Sequence, residues 1–149
     1  MHKIRNATLT DIPHIVRFNA AMALETENIV LETDILTSGV TALMKDPEKG
    51  FYIVAETESE IRACLLITYE WSDWRNGLFW WIQSVYVEKQ YRKAGLFKLM
   101  YNHIRDLIDK KQTIVGLRLY VDQENVNAQK VYESMGMSKT NYQLYEFAK

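Results

Sequence analysis

Two short segments carry residue types and spacings suited to binding a phosphate and moving a proton. The first is Arg92-Lys93-Ala94-Gly95-Leu96-Phe97, in which two cations precede a glycine. The second is Asn125-Val126-Asn127-Ala128-Gln129-Lys130-Val131-Tyr132, with an amide at its start and a phenol at its end. An arginine fork can hold a phosphate through two hydrogen bonds, and a phenol can protonate a leaving group.

The elements around the first segment place it at the start of a helix. Residues 84–87 form an apolar run rich in β-formers, which predicts an interior strand. Apolar residues then recur at helical spacing: Leu96, Leu99, Met100, Ile104, Leu107 and Ile108. The first turn of a helix offers unpaired amides and partial positive charge, which favour an anion there. The alternative is a solvated basic loop with a helix-start glycine.

The second segment reads as a short capped helix. Asn125 is a good N-cap and Gly136 a good stop, with Ala128, Val131 and Met135 as an apolar stripe. The strand-like run 116–121 precedes it. The predicted order is therefore a strand, the turn of the first segment around Gly95, a helix, a strand and a second helix. We call that turn the phosphate-type turn.

In this order, the two segments match the motifs R/Q-x-x-G-x-G/A and N-x-x-A-x-x-x-Y, followed by Tyr132-Glu133-x-x-Gly136-Met137. The chain thus resembles the GNAT superfamily of acetyl-CoA-dependent N-acetyltransferases. The resemblance implies an α+β fold of three-layer type: a mixed, largely antiparallel sheet flanked by helices. It also implies a cofactor cleft where two parallel strands, those of Val85 and Leu117, splay apart.

The resemblance also implies roles for individual residues. The backbone of the Val85 strand should bond the pantetheine arm, which Asn125 should also reach, and the amides of the turn should hold the pyrophosphate. Tyr132 would protonate the departing thiolate, although by its helix position alone it would be a core aromatic. The implied cofactor-binding residues are Val85, Tyr86, Val87, Arg92, Lys93, Ala94, Gly95, Leu96, Phe97, Lys98, Asn125, Ala128 and Tyr132.

Two positions depart from the family pattern. Phe97 stands where the first motif has Gly or Ala, so its ring either covers the adenine side or enters the core. Gln83 stands where some members carry a catalytic glutamate, and an amide cannot take a proton. Either the amine arrives neutral or another carboxylate serves as the base, with Glu27 the preferred candidate among Glu25, Glu27, Glu32, Glu70 and Asp73.

Aromatic and acidic residues are expected to border an acceptor pocket, because ring faces and carboxylates both attract ammonium groups. The acceptor would be the amine of a small molecule or a peptide. Alternatively, the tryptophans belong to the core or to a homodimer interface. The expected pocket residues are Glu27, Glu32, Tyr69, Trp71, Trp74, Trp80, Trp81 and Gln83.

Composition restricts the remaining possibilities. A chain of 149 residues with 48% hydrophobic content predicts one domain, residues 1–149. A net charge of −1 disfavours nucleic acid as a partner. The single cysteine, Cys64, and the polar N-terminus predict a cytoplasmic location, and no apolar run is long enough to span a bilayer. The histidines lack metal-ligand spacing, so no metal site is predicted.

Two other functions stay open beside acetyl transfer. A non-catalytic acyl-CoA-binding sensor would explain the missing strand glutamate at position 83. A protein that binds another phosphate ligand is disfavoured, because the chain has neither a dinucleotide fingerprint nor a Walker motif.

The remaining elements follow from periodicity and turn signals. Strands are predicted at 3–6, 51–56, 61–70, 78–87 and 116–121, with an alternating last strand at 142–147. Helices are predicted after Asp11, over 34–44, from Leu96 and from Asn125. Asn76-Gly77 is the strongest hairpin signal.

Overall fold

A computed structural model describes all 149 residues, which form two compact units, residues 1–119 and 120–149. The prediction of one domain over 1–149 stays a prediction. None of the helices is both long and apolar enough to cross a membrane. The first unit contains β1 (His2–Asn6), α1 (Ile12–Glu27), α2 (Thr33–Met44), β2 (Phe51–Thr57), β3 (Glu60–Ser72), β4 (Gly77–Val87), α3 (Leu96–Asp109) and β5 (Ile114–Arg118).

The five strands form one sheet in the order β1-β2-β3-β4-β5. The first three pairings are antiparallel, and only β4 and β5 are parallel. This confirms the predicted mixed, largely antiparallel sheet. The parallel pairing ends where Trp81 meets Arg118, whereas β4 continues to Val87. From Ile82 onward, β4 therefore has no β5 residue beside it.

A β-bulge interrupts β4 just beyond that point. Leu66 pairs with Gln83 and Cys64 with Tyr86, so β4 has one residue more than β3 over this stretch. Ser84 lies in this bulge and has φ 49, a left-handed conformation that is uncommon for serine. The bulge therefore changes the direction of the β4 backbone at a point where β4 is no longer paired with β5.

Helices cover both faces of the sheet in the first unit. On one face, Ile15 and Phe18 of α1 and Val40 of α2 pack with Val54 and Cys64. Strand alternation points Ile53, Leu65 and Ile67 to the other face. There α3 lies against β2 and β3 with its buried side chains Leu96, Met100, Tyr101 and Ile104.

The second unit contains α4 (Val126–Ser134) and an extended tail. Asn125 caps α4 by accepting a hydrogen bond from the Ala128 amide at 3.2 Å. Gly136 follows the helix with φ 91, a conformation that glycine adopts without strain. Both predicted ends of this helix are confirmed.

Two predicted strands need correction. The strand predicted at 116–121 is β5, which starts at Ile114 and ends at Arg118, because its pairing with Leu78 begins earlier and stops at Trp81. The tail 142–147 alternates in polarity but forms no strand. Its apolar side chains are exposed, and a strand requires a paired neighbour rather than alternation alone.

Candidate active site

The turn between β4 and α3 has the conformation of an anion-binding helix start. Gly95 is the N-cap of α3 with φ 81, and no side chain caps the helix. The first intrahelical bond runs from the Leu99 amide to the Gly95 carbonyl at 3.0 Å. The amides of Leu96, Phe97 and Lys98 precede that bond, so they are the donors that a helix start offers to an anion.

Gly95 is required here by its backbone conformation. A Cβ built on Gly95 would have no atom within 4 Å, so space is not the constraint. A positive φ, however, is strained for residues with a side chain. Lys93 also has a positive φ, at 66, which makes this a tight left-handed turn.

The charge around the turn suits a diphosphate. Arg92, Lys93 and Lys98 are all exposed beside the N-terminus of α3. Backbone amides together with cationic side chains are the donor set that holds phosphate groups in proteins. Phe97 is half-buried, with its ring centroid 6.3 Å from that of Tyr101, so the ring lies along α3.

Arg92 already has partners in this structure. Its Nη2 donates to the Glu25 carboxylate of α1 at 2.6 Å, and its Nε donates to the Val87 carbonyl at 2.8 Å. The Tyr86 hydroxyl donates to the same carboxylate at 3.2 Å. The bond from Arg92, ahead of any other influence, lowers the pKa of the Glu25 carboxyl.

Glu88 anchors the end of β4 from two sides. Its carboxylate accepts from Arg17 of α1 at 3.2 Å and from Arg62 of β3 at 3.1 Å. Its amide donates to the Arg62 carbonyl at 2.9 Å. The phosphate-type turn therefore starts from a position fixed to both α1 and β3.

A strip of polar side chains crosses the sheet where β4 and β5 separate. The Arg118 guanidinium donates to Glu70 Oε1 at 2.6 Å, and Trp81 Nε1 donates to the same oxygen at 3.3 Å. Beside them, Gln83 Nε2 donates to Thr68 Oγ1 at 2.6 Å. The register places all of these residues on one face, the face that α1 and α2 cover over β2 and β3. The strip is half-buried and hydrogen-bonded, which suits the recognition of a small polar molecule.

The predicted acceptor residues are not all brought together. Trp81 and Gln83 lie in the polar strip. Strand alternation puts Tyr69 and Trp80 on the opposite face, where the Trp80 ring centroid lies 5.1 Å from that of Phe51. The other four are exposed on the hairpin or beside the α1–α2 connection: Trp71, Trp74, Glu27 and Glu32.

In the second unit, Tyr132 lies on α4 and is half-buried. Burial raises the pKa of its phenol above the ordinary tyrosine value, so the hydroxyl keeps its proton at neutral pH. Asn125 uses its side-chain oxygen to cap α4 on the Ala128 amide. Its NH₂ group is therefore what it could offer to a ligand.

By sequence, Arg118 is an ordinary strand surface charge and Thr68 has no assigned role, because only the register across β3, β4 and β5 reveals their neighbours. Glu25 appeared only among the candidate bases. Cys64 is fully buried, and burial raises the pKa of its thiol to about 12, which suits a structural thiol rather than a nucleophile. No cluster of three or more His, Cys, Asp and Glu residues is arranged to hold a metal ion.

Comparison with known proteins gives a consistent result. The model of the Acetyltransferase (GNAT) family matches residues 16–137. A solved structure of a possible acetyltransferase from Clostridium difficile 630 is 47% identical, with a TM-score of 0.93 over 100% of this chain and 98% of that one. Among curated proteins, none matches the chain.

Two more distant structures share the fold. A predicted acetyltransferase from Clostridium acetobutylicum, solved with acetyl-CoA, is 19% identical with a TM-score of 0.79, covering 99% of this chain and 96% of that one. A ribosomal-protein-alanine N-acetyltransferase from Brucella melitensis biovar Abortus 2308 is 13% identical with a TM-score of 0.80, covering 100% and 99%.

Proposed function

The chain belongs to the GNAT acetyltransferase family, and from that premise we propose that it transfers the acetyl group of acetyl-CoA to a primary amine. The acceptor would be a small molecule or a peptide, attacked directly without a covalent enzyme intermediate. Acetyl-CoA, the donor used by this family, supplies a thioester carbonyl that an amine can attack.

The observation that carries the proposal is the continuation of β4 beyond its pairing with β5. The unpaired side of β4 runs from Ile82 to Val87 and leads directly into the cationic Gly95 turn. A free strand edge can bond the amides of an extended ligand, and a helix start can bond phosphates. CoA combines these two features in one molecule, an amide-containing arm and a diphosphate.

For the proton donor we propose Tyr132. Expulsion of a thiolate is assisted by a nearby acid, and a phenol that stays protonated at neutral pH is suited to that role. The raised pKa of Tyr132 supports this assignment.

For the acceptor amine, Glu27 is the carboxylate that the sequence favours, and Glu70 is the one with the more defined surroundings. Glu70 Oε1 is fixed by Arg118 and Trp81, which leaves Oε2 as the oxygen for a further partner. Glu27→Gln and Glu70→Gln, each assayed across cationic and neutral amines, distinguish the two. The residue that serves the acceptor should lower turnover of cationic amines and leave acetyl-CoA affinity unchanged.

A non-catalytic acyl-CoA sensor is the alternative, and the environment of Gln83 is the observation in its favour. Gln83 is a fixed hydrogen-bonding group, tied to Thr68, at the strand position where a base would stand. The distinguishing experiment measures free CoA released from acetyl-CoA across a panel of amines. Binding without release for every amine would favour the sensor.

Tyr132→Phe tests the mechanism, because it deletes only the hydroxyl. General-acid contributions are typically on the order of a hundred-fold, so turnover should fall at least about ten-fold. Acetyl-CoA affinity should change little. The assay requires an amine that is active with the parent, saturating acetyl-CoA and a folding check by Tm. Full turnover by the folded variant, with chemistry limiting the rate, would exclude Tyr132 as the acid.

A further inference from the structure

The arginine expected to hold the cofactor diphosphate is already paired with a carboxylate. Glu25 Oε2 accepts from Arg92 Nη2 at 2.6 Å, while Glu25 Oε1 lies 3.8 Å from Lys89 Nζ and accepts from the Tyr86 hydroxyl. Two cations of the turn, Arg92 and Lys89, and the Tyr86 hydroxyl of β4 thus converge on Glu25. A carboxylate and a phosphate are alternative partners for the same guanidinium edge.

Arg92 also occupies a backbone acceptor that the cofactor is expected to use. Its Nε donates to the Val87 carbonyl at 2.8 Å, and Val87 is one of the residues predicted to bond the pantetheine. Arg92 therefore spans both parts of the expected cofactor site. If Arg92 turned toward a phosphate, it would leave both the Glu25 carboxylate and the Val87 carbonyl.

The Arg92–Glu25 pair can exchange partners at little cost. The Arg92 side chain is 41% exposed and that of Glu25 24%. Ion pairs near the surface contribute only about 0–1 kcal/mol, because water solvates the separated charges. A diphosphate carries more negative charge than one carboxylate and presents several acceptor oxygens to the same fork.

We propose that Glu25 competes with the cofactor diphosphate for Arg92 and thereby lowers the affinity for CoA. In the free protein, Arg92 is held on Glu25 and Val87. When the cofactor binds, Arg92 exchanges Glu25 for a phosphate and frees the Val87 carbonyl. This inference rests on the proposed function, since it concerns the same cofactor site.

The same contacts argue against Glu25 as the catalytic base. The bond from Arg92 lowers the pKa of its carboxyl, and a base with a lowered pKa accepts a proton less readily. The role of Glu25 that fits its partners is that of a counter-ion.

The test is calorimetric titration of CoA, without an acceptor, into parent, Glu25→Gln, Arg92→Gln and the double variant. Glu25→Gln should tighten CoA binding by about two- to five-fold, the range expected from loss of an exposed ion pair. Arg92→Gln should weaken it. In the Arg92→Gln background, Glu25→Gln should have no further effect, because the competition acts through Arg92.

Glu48→Gln is the matched control, because it removes one negative charge from an exposed side chain of the same unit. It should leave CoA affinity unchanged. Equal gains in Glu48→Gln or in the Arg92→Gln background would reduce the effect to net charge and overturn the proposal. Weaker or unchanged CoA binding by Glu25→Gln would overturn the proposal as well. If Glu25 had only a structural role, its replacement would not tighten CoA binding.

The parent titration separates this inference from the proposed function. If the parent binds no CoA, the proposed function fails and the inference fails with it. If the parent binds CoA and the Glu25 variant shows no gain, only the inference fails. A melting curve of each free variant checks that it is folded.

Discussion

Of the arginine–glutamate pairs in the first unit, two that share a separation of 2.6 Å have different surroundings. Arg118, at the end of the edge strand β5, pairs with Glu70 of β3, and Arg92 pairs with Glu25 at the end of β4. The Arg118 guanidinium carbon lies 3.6 Å from the Phe79 ring centroid, whereas that of Arg92 lies 5.4 Å from the Tyr86 centroid. Trp81 adds a second bond to Glu70.

The comparison indicates that an ion-pair distance does not define the role of the pair. Arg118 is stacked on a buried ring, and its neighbours are fixed by strand register. Arg92 is more exposed than Arg118, although Glu25 is less exposed than Glu70, and Arg92 lies next to the turn proposed to bind the diphosphate. We therefore expect the Arg118–Glu70 pair to be a fixed part of the sheet and the Arg92–Glu25 pair to be exchangeable. The following predictions test this contrast, from the largest expected effect to the smallest.

Gly95→Glu should abolish the increase in Tm that acetyl-CoA produces, because a negative side chain would stand at the phosphate turn. The free protein should remain folded with a lower Tm, because a Cβ at this position meets no neighbour but the positive φ of 81 is strained for glutamate. Gly95→Asn is the matched control, because asparagine tolerates the left-handed conformation and adds no charge. It should keep most of the shift, and an undiminished shift in Gly95→Glu would remove this turn from the site.

Gly116→Ala should destabilise the region around Arg118. A Cβ on Gly116 would lie 2.5 Å from Cε1 of Phe79, so the ring beneath Arg118 would have to move. Overpacking of this kind costs about 1–3 kcal/mol of unfolding free energy. Gly39→Ala in α2 is the control, because a Cβ at that position has no atom within 4 Å. It should raise the unfolding free energy by roughly 0.5–1 kcal/mol. Denaturant unfolding that finds the two changes equal would contradict this prediction.

Replacing each arginine should separate the two pairs directly. Arg118→Gln should lower the unfolding free energy by about 1 kcal/mol, because both an ion pair and a stacking contact are lost. Arg92→Gln should change it by less than about 0.5 kcal/mol. Denaturant melts of both variants without ligand measure the difference. A larger loss from Arg92→Gln would reverse the assignment of fixed and exchangeable pairs.

The smallest expected effect is a pH dependence at Glu25. Its pKa is lowered from the ordinary 4.5, chiefly by the Arg92 bond. A carboxyl with a lowered folded-state pKa contributes its stability above the unfolded-state value and loses it as the pH falls through the folded-state value. The difference in unfolding free energy between parent and Glu25→Gln should thus be constant between about pH 6 and about pH 8. It should vanish only well below pH 4.5. In the Arg92→Gln background the difference should be smaller, because only the Tyr86 hydroxyl and Lys89 then stabilise the Glu25 carboxylate.

Much of the fold could be predicted from the sequence because its signals are local. The periodicity of the Leu96 helix, the Asn125 cap and the Gly136 stop all act within a few residues, and the structure has the helices there. The tail 142–147 shows the limit of such signals. Alternation is a property of the segment, whereas a strand also needs a partner.

The candidate site divides in the same way. The cationic turn with its glycine is contiguous in sequence, so the sequence alone identifies its residues. The acceptor residues could not, because Trp80 and Trp81 are adjacent in sequence but lie on opposite faces of β4. Arg118 and Glu70 are forty-eight positions apart, and no local pattern pairs them.

The sequence by itself determined the helices, most of the strands, the conformation of the Gly95 turn and the family, since each depends on residues close together in the chain. Only the tertiary structure decided which side chains share a face, that Arg92 rests on Glu25, and that the polar strip lies where β4 and β5 separate. The physical reason is that strand register and helix placement are set by burial over the whole sheet. A shift of one residue in that register would exchange the two faces of a strand.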